Sequence, residues 1–451
     1  MRETRGTTIL RGDPKKAVVK LSVPMMLAML VQTVYNLVDG VWVAGLGPQA
    51  LAAVGLFFPV FMIVLSLAMG VGVGASAVVA KKVGERDKEG ADAAATTAVF
   101  LALAIGTVTT FVSLSTVGPL LKTTNASPEV LGLSLDYAKV LLLSLTPLMF
   151  NNVTNGVLRG EGNATKAMYA MTVGSLLNVV LDPIFIYSLG MGVKGAAYAT
   201  VISILVSTAM ISYWFFVKRD TYVSVNFKKF RLPVEVLKDI LKVGIPASLA
   251  QISMFVATFV LNAFAVKAGG DEGVAVFSSA WRIVSFGTVP MQGIAMAVTS
   301  VVGTAYGERN VKKMKEAYLF SVKLGFLLGV LVTVCIAIFS PFIAKLFTYS
   351  KSGASIHADL VKALRILSLF LPGVPFGMFT SSMFQGIGQG GKSLAITLLR
   401  TVVMQVVFSW IFVSVLGAGL VGVWWGIVVG NVSSAVISFN WGRYTLDFFH
   451  A

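Results

Sequence analysis

Charge is scarce in this chain. Only 12% of its 451 residues are Asp, Glu, Lys or Arg, and 56% are hydrophobic. A water-soluble domain carries about 25% charged residues, so this composition excludes one and points to a polytopic membrane protein. Cysteine is all but absent. The lone Cys335 excludes an intrachain disulfide and a thiolate metal centre. The two histidines, His357 and His450, stand far apart, which leaves a His-based zinc site without support. There is no His-Glu-x-x-His, no paired His and no Ser-nucleophile motif, so the chain does not read as an enzyme and calls for no cofactor. Acids are fewer than bases, for a net charge of +16. The basic residues fall in short loops between apolar runs rather than on one face with interleaved aromatics, so no nucleic-acid partner is expected. The stretch Gly386–Ser393 satisfies the P-loop spelling. It joins two apolar runs instead of following a strand, and reads as a tight glycine turn.

What is present is a series of long apolar runs. They lie at roughly 21–43, 50–80, 93–118, 130–157, 167–189, 195–217, 235–266, 273–304, 317–344, 356–385, 393–416 and 420–442, each near or above the ~20 residues that cross a bilayer core. The expected fold is all-α, with about twelve membrane helices. The first run follows a basic tail and is too long for a signal-peptide core, so it reads as a retained span. Lys and Arg crowd into alternate loops, among them Lys81, Lys82, Arg86 and Lys88; Lys218, Arg219, Lys228, Lys229 and Arg231; and Arg309, Lys312, Lys313 and Lys315. The intervening loops hold little beyond Lys122, Lys194, Lys267, Lys345 and Lys351. This alternation predicts both termini on the cytoplasmic side of the cell membrane, with the basic loops against anionic lipid.

The chain also reads twice. Pro24 and Pro246 are 222 residues apart, Gly84 and Gly307 are 223 apart, Gly160 and Gly386 are 226 apart, and Gly190 and Gly417 are 227 apart, each within matching local sequence. The offsets grow slowly and in order, as a duplication produces. Six helices per half is an even number, so the halves are parallel repeats. The expected division is an N-terminal lobe 1–217, a cytoplasmic connection 218–242 and a C-terminal lobe 243–451, with the lobes around a central cavity.

Two acids interrupt this pattern: Asp39 within the first run and Asp182 within the fifth. An ionised carboxylate at bilayer depth costs roughly 2.5–3.5 kcal/mol or more, so the default reading is an ion, proton or substrate pathway. Helical spacing places Gln32, Tyr35, Asn36 and Asp39 on one side of the first helix, and Ser175, Asn178 and Asp182 on one side of the fifth. Asn151, Asn152 and Asn155 stack on the fourth helix, and Thr200 and Ser203 share the sixth. Asp39, Asn178, Asp182 and Thr200 are expected to surround one cation. Carboxylate, amide and hydroxyl oxygens suit the hard Na+ ion, whereas two close carboxylates in low dielectric equally suit a proton. Both ions stay open. Gln32, Tyr35, Asn36, Met62, Asn152, Asn155 and Met171 are candidates for a substrate cavity, the methionines because soft side chains suit varied ligands. Pro24 weakens the first helix and is the candidate hinge. Arg282, Lys323, Arg365 and Arg400 lie in or near spans. Two readings stand for them: snorkelling to the interface, or, for Arg282, a place in the second half's cavity.

The duplicated halves, Pro24, the stretch Gln32-x-x-Tyr35-Asn36-x-x-Asp39, the turn Gly84-Glu85-Arg86, Asn152-x-x-Asn155, Arg159-Gly160-Glu161-Gly162-Asn163 and Asn178-x-x-x-Asp182-Pro183 together resemble the multidrug and toxic compound extrusion (MATE) family. The likeness is to its prokaryotic branch near the DNA-damage-inducible F proteins, with an archaeal flavour. The resemblance implies export of organic, often cationic compounds against an inward Na+ or H+ flow, and it points to the same four cation positions. The chain is expected to act as a monomer. One departure stands out. Other branches carry acids in the second half, but here the repeat partners of Asp39 and Asp182 are Leu261 and Ser409, and the runs 243–266 and 366–385 hold no Asp or Glu. Coupling is therefore expected in the first half only. A flippase for lipid-linked or amphipathic substrates is the alternative, although its cavity would favour Arg or Lys over acids.

Overall fold

The structure, a computed structural model, describes residues 3–227, 232–348 and 354–449. Arg2, Lys228, Lys229, Arg231, Lys351 and His450 lie outside these segments. Every regular element among the described residues is helical. In chain order they are α1 (Arg5–Arg11), α2 (Pro14–Ala44), α3 (Pro48–Gly84), α4 (Lys88–Lys122), α5 (Pro128–Leu142), α6 (Leu145–Gly160), α7 (Ala164–Pro183), α8 (Gly192–Ser212), α9 (Val234–Phe286), α10 (Val289–Gly307), α11 (Val311–Phe347), α12 (His357–Ser368), α13 (Val374–Gly386), α14 (Gly390–Leu398), α15 (Gln405–Trp410) and α16 (Gly419–Phe448).

Ten helical segments are long and apolar enough to cross a membrane, and the bent pair α5–α6, with a 51° break, makes an eleventh. The twelfth apolar run is present but joined to its neighbour. α9 is 53 residues long and breaks at Gly270, where φ is 59° and ψ −149°. Only glycine adopts that conformation cheaply. It turns the chain between one span and the next, which is interrupted at Gly287 and Thr288 and resumes as α10.

The chain groups into two compact units, Met1–Arg11 with Leu27–Ser248, and Gly12–Met26 with Leu249–Ala451. The divisions fall inside α2 and α9, two residues after Pro24 and two after Pro246, so each repeat's first helix is shared out at its proline. Within the first unit, small residues let backbones touch, which is how membrane helices gain packing without a hydrophobic drive. A Cβ on Gly156 of α6 would lie 2.9 Å from the Cα of Gly72 on α3, and one on Gly72 would lie 2.8 Å from the carbonyl oxygen of Asn152. A Cβ on Gly70 would meet the Ser248 nitrogen at 2.7 Å. In the second unit a Cβ on the equivalent Gly293 would lie 2.8 Å from the Met26 nitrogen.

The backbone repeats in its details. Arg86 and Arg309 both take positive φ (57° and 55°), as do Gly162 and Gly388 (84° and 77°) and Gly190 and Gly417 (65° and 63°). Asp87 and Asn310 cap the helices that follow by accepting from the N–H of Gly90 and Lys313. Both halves end their fifth span in a π-helical turn, Ile184–Ser188 and Ile411–Val415. Only the first of these follows a proline.

The start of the expected inter-lobe connection is seated on the first unit. Lys166 pairs with Asp220, the N–H of Ser224 donates to Asp92 at 2.7 Å, and the N–H of Val223 donates to Glu161 at 3.0 Å. Glu161, in the turn after α6, is 1% exposed. Burial pushes its carboxyl up to about 7, against the lowering effect of the Val223 N–H and of Lys166.

Two outcomes follow from this packing. Gly156→Leu places a side chain into the α3 backbone, and the expected loss is about 1–3 kcal/mol or more, read as a lower melting temperature in detergent; an unchanged melt would contradict the α3–α6 contact. Glu161 binds its proton more tightly folded than unfolded, so its contribution to stability is complete below its ordinary value of 4.5 and is lost as the pH climbs through 7. The melting temperature of the natural protein should therefore fall relative to Glu161→Gln between about pH 5 and pH 8. A pH-independent difference would refute the assignment.

Candidate functional site

The site assembles where α2, α7 and α8 meet in the first unit. The last turns of α2 are held there by Trp42 and Tyr187, whose rings meet edge-on at 6.0 Å, while the Tyr187 hydroxyl donates to the Trp42 carbonyl at 2.6 Å. Beneath them Val43, Ile186 and Ala196 form a small apolar cluster. Asp39 stands one turn below Trp42, Asp182 one turn before Ile186, and Thr200 one turn after Ala196, so this cluster fixes the spacing of all three.

The Asp39 and Asp182 carboxyls lie in hydrogen-bonding contact with each other. Asp182 is fully buried and Asn178 is 1% exposed. With its amide nitrogen facing the carboxylate, Asn178 donates to Asp182 Oδ2 at 2.8 Å, and its oxygen lies 3.1 Å from the Thr200 hydroxyl; this orientation satisfies both ends of the amide. Tyr35 faces Thr200, and Tyr137 stands near both acids. No lysine, arginine or histidine is among the groups acting on either carboxyl. The arrangement is a half-dry carboxyl pair ringed by amide and hydroxyl oxygens.

The structure thus brings Asp39, Asn178, Asp182 and Thr200 together with Tyr35. It places the other candidates differently. Gln32 and Asn36 lie on the exposed side of α2, and Met62, Met171 and Pro24 are half-buried. Asn152 donates to the Leu148 carbonyl at 2.9 Å and Asn155 to the Asn151 carbonyl at 2.8 Å, both within α6. Asn151 reaches Ile204 and Thr208 of α8 at 3.3 Å. These amides make a helix-to-helix seam of their own.

Tyr137 is the member that sequence reasoning missed. It lies in α5, where its one signal is a polar-tipped aromatic three residues after the buried Ser134, and it packs edge-on against Phe57 at 5.9 Å. In the second half the matching locus is closed. Leu261 and Ser409 are buried, the Ser409 hydroxyl donates to the Val423 carbonyl at 3.4 Å, and Gly426 packs directly against the Ser409 backbone.

The family model MatE matches residues 24–184 and 246–411, one match on each half. The chain belongs to the MatE family. Membership makes it a multi-pass membrane transporter rather than an enzyme, in line with the resemblance read from the motifs. A curated relative, the multidrug export protein MepA of Staphylococcus aureus (strain MRSA252), is 29% identical over 422 residues, covering 92% of this chain and 90% of MepA. Two crystal structures of a MatE-type protein match it throughout. One is a MATE in the straight conformation, 53% identical with a TM-score of 0.97 and covering 100% of both chains. The other is a MATE in the bent conformation, 54% identical with a TM-score of 0.95, covering 100% of this chain and 99% of the other.

Proposed function

We propose that this MatE protein is a cation-coupled multidrug exporter, acting as a monomer with both termini in the cytoplasm. In this reading it moves amphipathic organic compounds, many of them cationic, outward by alternating access while H+ or Na+ enters through the first lobe. The connection 218–242 joins that lobe, 1–217, to the second lobe, 243–451. The observation that carries the reading is the Asp39–Asp182 contact with no basic partner. Such a pair changes its net charge when an ion arrives or leaves, and that change can bias a bistable element. Two carboxyls this close in a low dielectric do not both ionise, so one readily holds a proton, which favours H+ as the coupling ion. Na+ is the second reading, supported by the amide of Asn178 and the hydroxyl of Thr200, which complete a hard-oxygen set with the two carboxylates. Gln32, Tyr35, Asn36, Met62, Asn152, Asn155 and Met171 are the proposed substrate contacts. The name of MepA supports multidrug export.

Pro24 is the proposed hinge. Proline removes one helical hydrogen bond and crowds the preceding turn, and the division between the compact units passes within two residues of it. That a related MATE takes both straight and bent forms supports bending as part of the cycle.

Efflux of a fluorescent organic cation from membrane vesicles, under separately imposed pH and Na+ gradients, tests this function. The expected result is efflux driven by the pH gradient in the natural protein and reduced at least about tenfold in Asp39→Asn at equal expression, the loss of roughly 1.4 kcal/mol of transition-state stabilisation. Efflux indifferent to both gradients would sink the coupling, and full activity in Asp39→Asn would sink the site. For the hinge, Pro24→Ala that folds normally should export several-fold more slowly while still binding the dye. Undiminished export would remove Pro24 from the mechanism.

A further inference from the structure

Of the four basic residues placed in or near spans, Arg282, Lys323 and Arg365 are exposed. Arg400 is buried and closely packed: a Cβ on Gly377 would lie 3.2 Å from its Cδ, and its Nε has no hydrogen-bond partner. Arg365 donates to the Ser340 hydroxyl at 3.0 Å. Lys323 stands on α11 one turn before Phe326, and Phe326 leads into a groove.

That groove, about 300 Å³ in volume, runs between α11, the broken span α12–α13 and α16, all within the second unit. Its walls include Phe326, Pro372, Phe376, Val432, Val436 and Phe439. The span pauses here in a 3-10 turn, Leu371–Gly373, between α12 and α13. One side is aromatic, with Phe376 meeting Phe326 and Phe439 edge-on at 5.9 and 5.3 Å. Val432 and Val436 are exposed, as are Leu327, Leu331 and Val334 farther along α11. So apolar an exposed face within two spans is covered by lipid chains, not by water.

One end of the groove is different. Asn440 is its one polar lining residue among those described. On the same stripe of α16, one turn past Phe439, the exposed Arg443 lays its guanidinium 5.8 Å from the centre of the Phe439 ring. Lys323 stands at the same end. Lys315 of α11 pairs with Asp447 of α16 at 2.7 Å, which puts the start of α11 beside the finish of α16. From Lys323 to the far end of α11 at Phe347, and from Arg443 to the far end of α16 at Gly419, is about 36 Å along each helix. The hydrocarbon core is only about 30 Å thick, so both charges reach the headgroup layer while the groove stays among the chains. The nearest acids in sequence, Glu316 and Asp447, lie two turns and one turn farther out. Neither base has an acid partner among the described residues.

We propose that this groove binds one membrane lipid with an anionic phosphate headgroup, its chain against Phe326, Phe376 and Val436 and its phosphate within reach of Lys323 and Arg443. Charge complementarity names the occupant. Snorkelling alone accounts for a base at this depth, but not for two unpaired bases at the end of one apolar groove. A neutral lipid, or an apolar substrate, would leave both without a counter-charge. The pair is peculiar to the second half. The repeat offsets of 223 and 227 place Phe100 and Phe216 at the positions of Lys323 and Arg443.

The test uses the full-length protein in detergent, titrated with lipids of identical dioleoyl chains while retained lipid is counted by native mass spectrometry. One phosphatidylglycerol should be held at least about tenfold more tightly than phosphatidylcholine, the scale that two bases near a membrane surface contribute. Lys323→Gln and Arg443→Gln should each remove most of that preference. Val436→Trp, which fills the groove and keeps both bases, should weaken both lipids several-fold. Glycerol phosphate, a headgroup without chains, should not compete. Should Arg443→Gln fail to fold, Lys323→Gln and Val436→Trp still decide. Equal retention of the two lipids, a preference untouched by Lys323→Gln, binding that survives Val436→Trp, competition by glycerol phosphate, or a second copy of this chain on the groove in place of lipid would each overturn the proposal.

Discussion

The structure turns on a contact between two acids in a place where acids are expensive. Asp39 and Asp182 come from helices more than a hundred residues apart in the chain, and both lie inside spans. Each is costly alone at this depth, and together, if both were ionised, they would also repel. Nothing basic answers them among the described residues. Everything around the pair makes sense as support. Trp42 and Tyr187 lock the helix ends, Asn178 orients Asp182, and Thr200 bonds to Asn178 beside Tyr35. A protein that only needed a membrane anchor would gain little from this, because interhelical hydrogen bonds in membranes contribute only about 0.6–2 kcal/mol each.

The duplication supplies the contrast that gives the pair its meaning. The two halves copy each other down to positive-φ arginines, capping residues and π-turns, yet the chemistry differs at matching places. The first half brings two carboxyls into contact. The second half fills the same locus with Gly426 against Ser409, and some distance away buries a guanidinium. The repeats thus share a backbone scaffold while their buried polar groups differ.

Much of this was legible in the sequence. Apolar runs gave the spans, because period and length in hydrocarbon leave few alternatives. The repeat was legible because turns and close approaches need particular residues: Gly160 and Gly386 abut neighbouring backbone, and Gly190 and Gly417 take positive φ. The four proposed cation positions could be grouped because Asn178 and Asp182 share a helical face and stand out against an apolar background. Tyr137 was not legible, since an aromatic in an apolar run looks like packing until α5 is seen to bend against α6. The boundary between the runs 235–266 and 273–304 was legible in the sequence, although the helix runs on through the turn at Gly270. Arg400 could be read only as a base in a span. Its isolation depends on which side chains reach it, and spacing does not carry that information.

The most direct measurement is proton release from purified protein in a weakly buffered solution as a cationic substrate is added. If the carboxyl pair gives up its proton to admit substrate, the natural protein releases protons, and neither Asp39→Asn nor Asp182→Asn does. Substrate binding of normal affinity that displaces neither a proton nor Na+ would contradict the central claim.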